Sequence, residues 1–282
     1  MNEKNKGIIM ILLSSLFFAM MATTVKYAAD YSLAEKVFFR NFVGLIVMAI
    51  MMVRHKVSFK PNHLPLLTVR SLLGLTGVYL YFIAIGNLDL SIAVTLNKTS
   101  PFFVMIFASL FLKEHFTKHK LISLFIAILG VLIIMRPSGD FNPLYGLIGL
   151  GSAIAAGGAY TAVRKLKDHD HPLVIIFYFC LYSVIISGPI AFSKGLHIGS
   201  ATDLGILTLI GIFAVIAQTF MTFAYRHAPA SELAIYTYMN IVFSSIIGVI
   251  LYKEHIGFIN FTGIALIIFA GYINYRGRSI TS

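Results

Sequence analysis

The sequence predicts an all-α integral membrane protein of ten transmembrane helices, arranged as two inverted five-helix repeats. Three observations lead there. Of 282 residues, 58% are hydrophobic and 12% charged, with a mean hydropathy of +0.87. A soluble domain carries about 25% charged residues, roughly twice as many. The apolar residues fall in runs long enough to cross a bilayer, joined by short loops. One motif also occurs twice, at 91–114 and at 232–254.

The ten apolar segments lie at about 7–27, 34–53, 66–86, 90–112, 119–136, 144–164, 172–192, 204–224, 233–251 and 257–275. Each is long enough to cross ~30 Å of hydrocarbon as a helix. The first resembles a signal peptide in length. It runs on to Lys26 without a small-residue cleavage site and is echoed at 146–164, so it is read as a retained span. Cationic loops favour the cytoplasmic side. With the N-terminus inside, Lys4, Lys6, Arg54, Lys56, Lys60, Arg70, Lys113, Lys118, Lys120, Arg164, Lys165, Lys167, Arg226, Arg276 and Arg278 fall inside. Lys26, Lys36, Arg136, Lys194 and Lys253 fall outside. The expected location is the cell membrane, multi-pass, with both termini cytoplasmic.

The repeat sets the architecture. Ser91–Glu114 reads small and apolar, then polar, then apolar, then Lys113-Glu114. Glu232–Glu254 runs the same way and closes on Lys253-Glu254. Thr23-Thr24-Val25-Lys26 closes span 1, and Thr161-Ala162-Val163-Arg164 closes span 6. The predicted units are 1–140 and 141–282, five spans each. Five is odd, so the second unit crosses the membrane in the opposite sense. Inverted repeats characterise alternating-access transporters, with sites near the midplane between the repeats. Ser15, Ala19 and Thr23, and again Gly151, Ala155 and Ala159, are spaced for close helix packing.

Polar residues within the spans are the candidate site. Lys98 sits about two turns into span 4, where a charge costs about 2.5–3.5 kcal/mol unless it faces a bundle interior or a wet cavity. It either lines a cavity and meets an anionic group or pairs internally. Asn97, Thr99 and Ser100 offer hydrogen-bonding groups beside it. Pro101 removes a backbone donor and disfavours helix just before it. Arg40 lies in VFFRNF, one turn past Lys36, and can bind a planar anion, stack on a ring or reach to headgroups. Glu35 and Lys36 read as a solvated end of span 2. Tyr236, Tyr238 and Asn240 take in span 9 the places of Thr95, Asn97 and Thr99 in span 4. A mid-depth tyrosine can stack and donate one hydrogen bond. Tyr79 and Gln218 are further lining candidates.

Other function classes find little support. GxSxG, Walker and HExxH motifs are absent, and so is a pair of embedded carboxylates. No cofactor is expected, and no catalytic residue. Asp168-His169-Asp170-His171 resembles a metal string but is too compact to close a tetrahedral site, and is read as a solvated loop. The single cysteine, Cys180, allows no intrachain disulfide. The net charge of +11 is spread over loops rather than one face, which argues against nucleic acid as a partner. The expected partners are a small-molecule substrate and the lipid bilayer, with a homodimer left open.

At FFRNFVG (38–44), at 70–114 and at 223–254 the sequence resembles the drug/metabolite transporter superfamily, in its EamA-like ten-span branch. The resemblance covers nearly the whole chain. It implies a basket of ten helices around a central cavity reached alternately from each side, with closing acidic residues at Glu114 and Glu254. It also implies a secondary transporter of a small organic metabolite. The side chains above suggest an anionic, zwitterionic or aromatic solute, such as an amino acid, a nucleoside or an S-adenosylmethionine-like molecule. The alternative is a membrane-embedded enzyme acting on a lipid-linked substrate. The cavity is expected between spans 3, 4, 8 and 9. Ile241 stands where the first half has Pro101, so the two halves are expected to bend differently.

Overall fold

A computed structural model describes residues 3–112, 118–135, 142–166, 168–193, 199–227 and 233–279. Among the described residues, eight stretches have the length and hydropathy to cross a membrane, one of them the broken span Leu90–Phe111, and Leu121–Ile134 and Tyr236–Tyr252 are shorter apolar helices. The helices are α1 (Glu3–Tyr27), α2 (Leu33–Arg54), α3 (Leu64–Asn87), α4 (Leu90–Asn97), α5 (Ser100–Leu112), α6 (Lys118–Ile134), α7 (Pro143–Leu166), α8 (Pro172–Ser193) and α9 (Ala201–His227). A 3-10 turn at Ala234–Tyr238 leads into α10 (Met239–Tyr252), and α11 (Phe258–Ser279) follows. Glu114 and Glu232 of the repeated motif lie outside the described residues, as does the junction of the two units at 140–141.

Local chemistry sets several helix starts. Ser32 and Glu35 form a capping box at α2: Glu35 N–H donates to Ser32 Oγ, and Ser32 N–H donates to Glu35 Oε2 at 2.7 Å. Glu35 and its neighbour Lys36 are both buried, although the sequence places them at a solvated loop end. The first turn of a helix has backbone donors to satisfy, and a carboxylate folded back onto them leaves water. Pro65, Pro143 and Pro172 stand in first turns, where a missing N–H costs nothing.

Asp170 also departs from the sequence reading. It is buried and accepts N–H donors from Asn62 at 2.7 Å and His63 at 3.1 Å. The loop before α8 is thereby stapled to the start of α3.

Span 4 breaks after Asn97, as Pro101 predicts. Lys98 ends α4, Thr99 N–H turns back to the Leu96 carbonyl, and α5 restarts at Ser100. Span 9 is interrupted at the matching place, where 3-10 gives way to α between Tyr238 and Met239. The halves differ in the kind of interruption but not in its position, and one of the two needs no proline.

Helix contacts are exchanged symmetrically between the halves. α1 packs on α9, and its repeat partner α7 packs on α3. α2 packs on α9 as α8 does on α3. α2 pairs with α8, α6 with α11, and α4 with α10. The α6–α11 pair is closest at two glycines. A Cβ on Gly130 would sit 2.9 Å from the Gly263 carbonyl oxygen, and the reverse distance is the same. Ile50, Phe111, Phe125 and Ile250 face outward, an apolar belt suited to lipid tails.

Candidate functional site

The bundle has two unlike ends. The near end carries the start of α1 and the loops 55–63 and 168–171. The far end carries 28–32, 88–89 and 253–257.

The far end is tied shut. Lys26 Nζ lies 2.5 Å from Glu254 Oε1 and also donates to the Leu88 carbonyl at 3.0 Å. Leu90 N–H, at the start of α4, donates to the same Glu254 oxygen at 2.7 Å. Lys253 adopts a left-handed conformation, φ 53°, which turns Glu254 back over α10 onto Gly248. Tyr252 Oη donates to the Thr23 carbonyl at 2.8 Å. Half-buried Asp89 is held above the ordinary carboxylate range, first by burial and then by the charge of Glu254. Tyr31 donates to Asp203 at 2.7 Å, which pushes its own pKa up to about 12.

The near end opens. A cavity of about 230 Å³ lies between the ends of α2, α8 and α9, with Met51, His55, His171 and Thr222 in its wall. A chamber of about 50 Å³ lies beyond it. Met48, Ile176 and Gln218 line both spaces, and Arg40, Asn41, Gly44, Arg70, Phe179 and Cys180 line the chamber. A water needs about 10–15 Å³, so the chamber can hold a few waters or one small polar group.

Of the residues singled out from sequence, Arg40 and Gln218 meet in this chamber. It lies between spans 2, 3, 7 and 8 rather than 3, 4, 8 and 9. Spans 4 and 9 are engaged elsewhere: α4 packs on α10 and α7, and α10 packs on α1. Lys98 is half-buried, its Nζ 5.8 Å from the centre of the Phe18 ring. Asn97 donates to Ser152 Oγ at 3.0 Å, and Thr99 to the Leu96 carbonyl at 2.6 Å. Asn240 donates to the Ser15 carbonyl at 2.9 Å. Tyr238 is buried against Gly271, and Tyr236 packs with Ile11 and Leu233. The Tyr79 hydroxyl is buried with no hydrogen-bond partner.

Sequence reasoning missed Arg70, Phe179 and His171 as a group. Arg70 was counted with the inner-loop cations. Arg70 stands more than a turn inside α3, a depth from which a long side chain reaches either the headgroups or the interior. The chamber holds both arginines against one ring. The Cζ of Arg70 is 4.3 Å from the Phe179 centroid and that of Arg40 is 5.7 Å away.

Inverted five-helix repeats around a cavity open at one end and tied at the other define a multi-pass membrane transport protein. The EamA-like transporter family matches the chain twice, over residues 5–136 and 144–276, and the chain belongs to that family. The pseudopaline exporter CntI of Pseudomonas aeruginosa is 32% identical over 266 residues, covering 94% of each chain. A riboflavin transporter of Brucella anthropi is 29% identical, covering 87% of this chain and 88% of that one. Human solute carrier family 35 member G1 is 28% identical, covering 88% and 73%. A solved crystal structure shares the fold, with a TM-score of 0.63, 16% identity and 96% of both chains covered.

Proposed function

We propose that the chain is a secondary transporter of a small organic solute in the cell membrane, working by alternating access with both termini in the cytoplasm. The two units are taken as 1–140 and 141–282. The observation that supports this most is the contrast between the ends. A cavity of about 230 Å³ reaches inward from the near end, while Lys26 and Glu254 tie the far end. That is the form expected of an inward-facing state. Relatives named for pseudopaline and for riboflavin indicate small-molecule cargo of more than one kind. The side chains favour a solute with a negative, zwitterionic or aromatic part. In this state Arg40 and Gln218 are its first contacts. Lys98, Asn97, Thr99, Tyr79, Tyr236, Tyr238 and Asn240 are retained as contacts for later stages of transport. The family membership disfavours an enzyme acting on lipid-linked substrates.

The test is reconstitution into proteoliposomes and counterflow against a metabolite panel. A solute that exchanges faster than in protein-free liposomes supports the proposal. No such solute, from protein shown to be folded, would overturn it.

A further inference from the structure

We propose that Arg40 and Arg70 form a clamp for the oxyanion end of the transported solute, a carboxylate or a phosphate. This deepens the transport reading and rests on it.

The two guanidiniums share the Phe179 ring as a support. Arg40 Nη1 donates to Asn41 Oδ1 at 2.9 Å. Three further donors, Arg40 Nε, Arg70 Nε and Arg70 Nη1, are buried without a hydrogen-bond partner. Among the described residues, no ion pair involves either arginine. Buried donors and buried cations are ordinarily satisfied by a partner. A pair of like charges with idle donors, lining a chamber that adjoins an open cavity, lacks an anion.

The surroundings are shaped for this. Gly74 lies one turn after Arg70 on the same face of α3. A Cβ there would come 3.0 Å from Phe179 Cε2 and 3.5 Å from Arg70 Nη1, so glycine leaves the ring its seat under the guanidinium. On α2, Gly44 leaves room for Cys180 in the chamber wall, since a Cβ there would come 3.0 Å from Cys180 Sγ. A guanidinium held over an aromatic ring by cation–π attraction still has N–H groups to offer a ligand. Forked N–H donors match the oxygens of carboxylate and phosphate, and charge-assisted bonds of this kind are the strong ones. A chamber of about 50 Å³ accommodates the anionic group alone. The rest of the solute would extend past Met48, Ile176 and Gln218 into the wider cavity.

The experiment uses the purified full chain in nanodiscs, with thermal unfolding at constant ionic strength. The probes are glutarate, its neutral diamide glutaramide, and inorganic phosphate. Glutarate or phosphate should stabilise the wild type while glutaramide should not. Whichever oxyanion binds more tightly identifies the end group. Arg40→Gln and Arg70→Gln should each weaken that binding at least tenfold, and Arg→Lys at either site should give an intermediate loss. In the unmodified protein, the better oxyanion should protect both arginines from phenylglyoxal, read by mass spectrometry. This second readout needs no variant to fold.

The clamp is overturned if neither oxyanion stabilises the wild type, if binding survives unchanged in both glutamine variants, or if phenylglyoxal modification is unaffected. In proteoliposomes, a neutral solute carried equally well by wild type and both glutamine variants overturns the clamp and leaves the transporter standing. Oxyanion binding without any counterflow does the reverse.

Discussion

Lys26 and Glu254 are joined 2.5 Å apart at the far end of the bundle, one from each half of the chain. The Glu254 side chain is 3% exposed and that of Lys26 is 19% exposed. Removing one partner of a fully buried pair costs about 3–5 kcal/mol. Partial exposure of Lys26 lowers the expectation for Glu254→Gln to about 2–3 kcal/mol. The double variant Lys26→Met/Glu254→Gln should regain part of that loss, giving a measurable coupling. In a Cys180→Ala background, Thr23→Cys should also react faster with an impermeant maleimide once Glu254 is replaced. Equal labelling rates would show that the pair does not close this end.

Asp89 should make the far end pH-sensitive. Its carboxyl is held above the ordinary aspartate value, first by burial and then by the charge of Glu254, so between the two values the folded state binds more protons than the unfolded state. Stability attributable to Asp89 is therefore full at low pH and falls as pH rises from the ordinary aspartate range through the raised value. Asp89→Asn removes this slope. Thermal unfolding from pH 4 to 7 should decline less steeply in the variant than in the wild type.

The Asp170 carboxylate holds two backbone N–H groups of the loop before α3. Hydrogen bonds to charged groups contribute about 1.5–3 kcal/mol each. Asp170→Ala should destabilise by about 2–4 kcal/mol, discounted for partial repair by water. Amide exchange at Asn62 and His63 should accelerate. An unchanged exchange rate at those two amides would contradict the staple.

Gly130 and Gly263 set how closely α6 and α11 approach. Gly130→Leu forces side-chain atoms against backbone, where overpacking typically costs about 1–3 kcal/mol. Loss should be greater for leucine than for alanine, and greater than for leucine at Gly86, whose Cβ would meet nothing within 4 Å. Unfolding midpoints in detergent rank the three variants.

Span count and the repeat were legible because hydropathy and motif spacing are local or periodic. The break at Lys98 was legible from Pro101. Its counterpart before Met239 was not, since Ile241 carries no such mark. Arg40 could be singled out by its setting in VFFRNF. Arg70 could not, because a cation four residues into a predicted span looks the same whether it reaches out to headgroups or in to Phe179. The burial of Glu35 and Asp170 depends on which backbone donors the fold brings near, and composition does not report that. The site drew on helices that meet only in three dimensions, α2 and α3 from one half and α8 and α9 from the other.

The five-residue 3-10 stretch at Ala234–Tyr238 sets the length of span 9. A 3-10 coil rises about 2.0 Å per residue and an α coil about 1.5 Å, so recoiling the stretch would draw the span in by about 2–3 Å. Its other tip is the turn that holds Glu254 against Lys26. A retraction of that size is about as long as the ion pair itself, so unwinding at one membrane face would be felt as tension at the other.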